Sequence, residues 1–179
     1  MPRSSIVKTD RDTNLGSMRL IKVKAFLERE QMMVEGKHVD RRTKVLEFCD
    51  GRSTAYTILS HRWIDPREVD YEDIVDLVKM NVEERDEIRQ RRGYRKILDT
   101  CEQAKRDGYA WLWVDTCCID KRSSAELSEA INSMYQCYAN SRICYTYLHD
   151  VHGPPSPLRK IMKSIPSRTA GQSGFRVGE

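Results

Sequence analysis

WLWVDTCCIDK (residues 111–121) is the stretch whose reading decides the fold. With Tyr109 and Ala110 before it, this is a short apolar run rich in aromatic residues, which predicts a strand rather than a helix. Helical patterns flank it on both sides. Upstream, YRKILDTCEQAKRDG (residues 94–108) places Tyr94, Ile97, Leu98, Cys101 and Ala104 on one side and stops at Asp107-Gly108. Downstream, Ser123 and Glu126 read as a capping box, in which the hydroxyl takes a backbone donor and the carboxylate returns to the donor of the cap. Leu127, Ala130, Ile131, Met134 and Tyr138 then follow at helical spacing. A strand with helices on either side of it belongs in a largely parallel sheet covered on two faces.

Working outward, RICYTYLHD (residues 142–150) and TAYTILSH (residues 54–61) are further strand candidates, the second running into Ser60, His61, Arg62 and Trp63 and then Asp65-Pro66. YEDIVDLVKM (residues 71–80) has a helical apolar pattern, EERDEIRQRR (residues 83–92) reads as a solvated helix, and Gly93 marks a break. MRLIKV (residues 18–23) and KVLEFC (residues 44–49) are β-compatible, with a charged segment between them that fits a helix or a long loop. The order strand, helix, strand, helix, strand requires right-handed crossovers and gives an open α/β sheet. Ligands of such sheets bind outside the carboxyl ends of the strands, here residues 60–63, 115–121 and 149–152.

With 179 residues there is room for one domain plus tails. Residues 1–17 read as a leader without periodicity, residues 18–151 as the folded part, and residues 152–179 as an irregular basic tail punctuated by GPPSP, KSIPSR and GQSG. Five of the 31 Lys and Arg residues and one of the 27 acids lie beyond residue 150, so residues 1–150 are neutral, with 26 basic and 26 acidic side chains. A neutral folded part lacks the basic stripe that phosphate neutralisation needs, which argues against a specific nucleic-acid partner. Neither a signal peptide nor a long apolar run is present, so the expectation is a cytoplasmic protein with no membrane contact and six reduced cysteines.

The candidate chemistry is sparse. Asp115 at a strand end is either a ligand carboxylate or the cap of the turn that follows. Cys117 and Cys118 are adjacent, have no His nearby in sequence, and read as packed thiols. No CxxC pair is present and only His149 and His152 have any ligand-like spacing, so no metal site is expected. His61 and Arg62 could meet a phosphate or ribose oxygen, though no glycine-rich phosphate loop follows, and solvent-facing polarity explains them equally. Glu126 and Glu129 are candidate acids, the first explained by the capping box and the second by the solvated face of its helix.

Taken together, YTILSHRW (residues 56–63), the glycine-to-glycine pattern of residues 93–108, WLWVDTCCIDK, SSAELSEAINSMYQCY (residues 123–138) and CYTYLHDV (residues 144–151) resemble successive blocks of a fungal heterokaryon-incompatibility (HET) domain over residues 18–151. The resemblance implies a flavodoxin-like or TIR-like open, mostly parallel sheet with flanking helices. It also implies a role in fungal non-self recognition and programmed cell death signalling. Expected partners are other HET-domain or incompatibility proteins, including copies of the same chain. Some TIR domains cleave NAD with a glutamate that stabilises an oxocarbenium-like transition state. In this family the comparable carboxylate is expected in a later block resembling RGWTLQEL, whereas here CYTYLHDV is followed by HGPPSPLRKIMKSIPSRTAGQSGFRVGE. The expectation is therefore a domain incomplete on its C-terminal side, a non-catalytic fragment acting by protein interaction. The alternative is a TIR-like NAD hydrolase using Glu129 or Glu126, with NAD as substrate and no resident cofactor. The expected ligand contacts are Ser60, His61, Arg62, Trp63, Asp115 and Asp120.

Overall fold

Six strands, β1 (Ser17–Lys22), β2 (Leu46–Asp50), β3 (Thr57–His61), β4 (Trp111–Trp113), β5 (Ile143–Tyr147) and β6 (Leu158–Met162), form one sheet in the order β2-β1-β4-β3-β5-β6. The computed structural model describes residues 17–63, 68–148 and 158–162. The open α/β architecture read from the sequence is present. Its core is parallel, with β3 pairing in the same sense with β4 and with β5. The rim is antiparallel, at β1 with β2, β1 with β4, and β5 with β6.

Among the described residues five helices connect and cover the strands: α1 (Val23–Val34), α2 (Tyr71–Asp76), α3 (Val82–Gln90), α4 (Arg92–Arg106) and α5 (Ser124–Asn140). The segment after β1, left open between helix and loop by its charge, is α1, whose buried face is Ala25, Phe26 and Arg29, with Val23 buried at its first turn. It ends at Gly36, whose φ of 64° is the left-handed conformation of a helix stop. Gly108 ends α4 in the same way with φ 81°, while the Tyr109 amide donates to the Ala104 carbonyl. Reciprocal capping boxes start α2 at Asp70 and Asp73 and α3 at Asn81 and Glu84.

Successive strand residues face opposite ways, and the helices sort accordingly. On one face α1 packs on α4, with the Phe26 and Tyr94 rings 5.5 Å apart. On the other, α5 receives Tyr56, whose hydroxyl donates to the Cys137 carbonyl at 2.6 Å, and Trp113, which meets Tyr138 edge-on at 6.3 Å. The chain thus leaves β3 for β4 over one face and reaches β5 over the other. The carboxyl end of β3 lies where these connections part, which is the ligand position in sheets of this kind.

Several sequence expectations need correction. Gly93 breaks nothing: it lies buried inside α4, and the interruption falls at Arg91, whose extended ψ of 143° separates α3 from α4. The apolar run at residues 109–120 yields only three strand residues, because the chain turns from Asp115 onward. Ile131 is not part of the packed stripe of α5 but 62% exposed. Residues 158–162, within the segment expected to be irregular, form β6 on the outer edge of β5. Residues 149–152, expected as one of the strand ends that bind ligand, lie outside the described residues.

Ile97, buried between α4 and the sheet, and Ile131 provide a matched contrast. Ile97→Ala is expected to cost about 2–5 kcal/mol through lost transfer energy and a residual cavity. Ile131→Ala should stay within about 0.5 kcal/mol. Urea denaturation midpoints of the two variants check the assignment.

Candidate functional site

Two polar centres stand out against the apolar core. The first lies at the carboxyl ends of β3 and β4 and gathers Ser60, His61, Trp63 and Asp115. The Trp63 indole donates to Asp115 Oδ2 at 3.0 Å, and the Lys121 ammonium sits 4.0 Å over the Trp63 ring. Burial pushes the Asp115 carboxyl up from its ordinary range, against the opposing pull of His61, Trp63 and Lys121. The His61 side chain is 1% exposed and its Nε2 is 3.4 Å from a Glu68 oxygen, yet among the described residues neither ring nitrogen makes a hydrogen bond of good geometry. Asp115 Oδ1 and the Thr116 hydroxyl are also without hydrogen-bond partners among the described residues. Ser60 is hydrogen-bonded to Tyr138 of α5.

Beneath this cluster Lys96 enters from α4, 2% exposed, and its ammonium donates to the Arg62 carbonyl at 2.8 Å and to Glu68 at 2.5 Å. Arg62 therefore contributes its main chain, while its side chain is exposed. The sequence reading missed Lys96 and Glu68. Lys96 interrupts the apolar face of α4 at a buried position, but what makes burial of an ammonium tolerable is an acid 28 residues away, which no local pattern reveals.

The second centre is built on Arg19. This β1 arginine, 9% exposed, lies over the rings of Phe48 at 4.6 Å and Tyr71 at 4.3 Å. Its guanidinium donates to both Glu126 oxygens, at 2.6 and 3.3 Å, and to the Cys118 carbonyl at 3.2 Å. Glu126 Oε1 also accepts the Asp120 amide at 2.8 Å. Only half of the expected capping box is therefore present. The Ser123 hydroxyl accepts the Glu126 amide, but the Glu126 carboxylate turns to Arg19 and Asp120, because a buried guanidinium is a stronger partner than the cap amide. Asp120 belongs to this second centre and not to the cluster around Asp115. The Arg122 guanidinium beside it holds its carboxyl down at about 2, and Arg122 also pairs with Glu72.

Glu129, one helical turn from Glu126, is exposed and lines the same cavity between α5 and the sheet. Thus the six expected ligand residues do not form one site: Ser60, His61, Trp63 and Asp115 converge, Arg62 supports them by its carbonyl, and Asp120 joins Glu126. Cys117 and Cys118 are buried, and the contact with Cys118, followed by burial, pushes the Cys117 thiol well up, which leaves it a poor nucleophile. Among the described residues no group of three or more His, Cys, Asp or Glu is placed to hold a metal ion, and no helix is long and apolar enough to cross a membrane.

Two measurements follow from this geometry. Because the folded Asp115 carboxyl takes up its proton at higher pH than the unfolded one, its contribution favours folding as pH falls and opposes folding at neutrality. Asp115→Asn should therefore raise the melting temperature at pH 7, with the gain shrinking toward pH 4, as read by calorimetry. Arg19→Met should cost about 2–4 kcal/mol by leaving Glu126 short of its strongest donor. Adding Glu126→Gln should then cost less than it does in the wild-type background, a coupling that a double-mutant cycle measures directly.

The family model for heterokaryon incompatibility protein (HET) matches residues 56–172, more than half of the chain. The chain is also similar to vegetative incompatibility protein HET-E-1 of Podospora anserina, with 46% identity over 106 residues. That similarity covers 59% of this chain and 7% of the relative, so the chain spans a small part of the relative's length. No solved structure matches the chain. The matched region contains β3 through β6 and both polar centres apart from Arg19 and its neighbours in β1 and β2, and the chain belongs to the heterokaryon incompatibility (HET) family.

Proposed function

We propose that this chain acts in heterokaryon incompatibility, the fungal recognition of non-self that ends in programmed cell death, and that it does so by contact with other proteins rather than by catalysis. The observation that carries this reading is the state of Glu126. Its carboxylate is engaged by Arg19 and by the Asp120 amide, an arrangement that fixes the start of α5 and offsets its charge with a guanidinium, so it is not the unpaired carboxylate a cationic transition state would need. On the outer side of the same helix, Ile131 is 62% and Tyr135 82% exposed, one turn apart on a common stripe. Large apolar side chains so placed suit a contact surface. The partners this reading implies are other incompatibility proteins or further copies of the chain.

A second reading, a TIR-like NAD hydrolase, has one observation in its favour: Glu129 makes no ion pair among the described residues and borders a cavity. Incubating the purified chain with NAD and following nicotinamide by chromatography separates the two. The protein-contact reading expects no release. Release abolished by Glu129→Gln would replace it with the hydrolase. In fungal hyphae expressing the chain, Tyr135→Lys and Ile131→Glu should each suppress cell death while leaving the melting temperature within a few degrees, since neither side chain packs in the core. Undiminished death with both variants would remove α5 as the contact surface.

A further inference from the structure

A helix packed on a sheet normally fills the gap with large apolar side chains. The stripe of α5 that faces β1 and β2 instead carries Glu126, Ala130, Ser133 and Cys137, spaced by three or four residues, and the gap they leave is a cavity of about 340 Å³. Met18, Phe48, Tyr56 and Trp113 line it as well, Phe48 with 64% of its surface exposed. Met18 lies over Gly51, where a Cβ would come within 2.5 Å of its sulfur and push that flexible side chain toward the cavity or away from it.

The charge in this cavity has a definite sign. Arg19 and Glu126 neutralise each other, and Glu129 makes no ion pair among the described residues, which leaves one net negative charge. The acceptor capacity is also uneven. Glu126 Oε1 takes donors at 2.6 and 2.8 Å, whereas among the described residues Oε2 has only the longer contact of 3.3 Å from Arg19. Oε2 and the Glu129 carboxylate, one turn apart on the helix, are therefore free to accept from a donor that also carries positive charge. An anion would meet two carboxylates and a guanidinium already committed to three bonds.

We propose that this cavity is a binding site for a small, flat organic cation, such as an aromatic amidine or amine, seated with its charge against Glu129, a hydrogen bond to Glu126 Oε2, and its ring against Phe48 and Met18. The slot between a helix and a sheet favours a flat body, and the aromatic lining favours a delocalised cation. Binding of this kind is independent of the protein-contact role proposed above, since it uses the inner side of α5 and not Ile131 or Tyr135.

The test uses the full chain and three probes of nearly equal shape: benzamidine, neutral benzamide and anionic benzoate. Each is titrated into isotopically labelled protein and followed by backbone amide shifts. Benzamidine is expected to bind with a dissociation constant on the order of 1 mM or tighter, shifting Met18, Phe48, Ala130 and Ser133, and benzamide about tenfold more weakly. Benzoate should not bind. Glu129→Gln should weaken benzamidine about twofold to fivefold. Ala130→Leu or Ser133→Leu, whichever retains the wild-type amide pattern elsewhere, should abolish binding by filling the cavity. Equal affinity for the three probes, shifts at another site, unchanged binding in a folded cavity-filled variant, or no benzamidine binding would each overturn the proposal.

Discussion

Arg19 is the constraint around which this structure is organised. A guanidinium taken out of water must find carboxylate, carbonyl or aromatic partners, and here the partners come from everywhere in the chain: Phe48 of β2, Tyr71 of α2, Cys118 of the turn after β4, and Glu126 of α5. The pair with Glu126 spans 107 residues. One side chain thus fixes the seat of the antiparallel rim, the entry angle of α5, and the position of the turn that carries Asp115 to Asp120. Substituting it disturbs the geometry of both polar centres at once, which is why its energetic role and any functional role of α5 are hard to separate by single changes.

The electrostatic design differs between the two centres. Around Glu126 the guanidinium of Arg19 and the Asp120 amide hold Oε1 closely and Oε2 more loosely, so the start of α5 is tied to β1 while one oxygen keeps acceptor capacity. At the ends of β3 and β4 the groups are under-committed: among the described residues one oxygen of the partly desolvated Asp115 is unbonded, and the imidazole of His61, 3.4 Å from Glu68, makes no well-formed hydrogen bond. Buried polar groups of that kind are costly in a fold that needs them only for stability. Their place at the carboxyl end of β3, where the connections part to opposite faces, makes them the least economical and most informative part of the sheet.

How far the sequence revealed this depended on range. The helix α4 and the strands Thr57–His61 and Ile143–Tyr147 were legible because period and stop signals are local, and the α/β alternation followed from their order. The antiparallel rim was not legible: nothing in MRLIKV or LEFCD states which way a neighbour runs, and β6 lies among proline and serine punctuation. Ser60, His61, Trp63 and Asp115 could be picked out by their position at strand ends, and the structure brings those four together. Asp120 was grouped with them by proximity in sequence, but the turn after Asp115 carries it to the other centre. Arg19, Glu68 and Lys96 escaped because a buried charge is intelligible only once its distant partner is known. Glu126 was read through the local capping rule, and a long-range partner outcompeted that rule.

The position of β1 has a consequence for how the chain is made. β1 meets β2 after one helix and the connection of residues 35–45, so that edge is satisfied early in synthesis. Its other edge is closed by β4, through Ile21 and Lys22 against Leu112 and Trp111, which emerge from the ribosome much later. Throughout that interval the nascent chain presents an unpaired strand edge, the usual template for misassociation. Arg19 and Lys22 place two positive charges on this short strand, and charge on a transiently open edge is what discourages premature pairing with another chain.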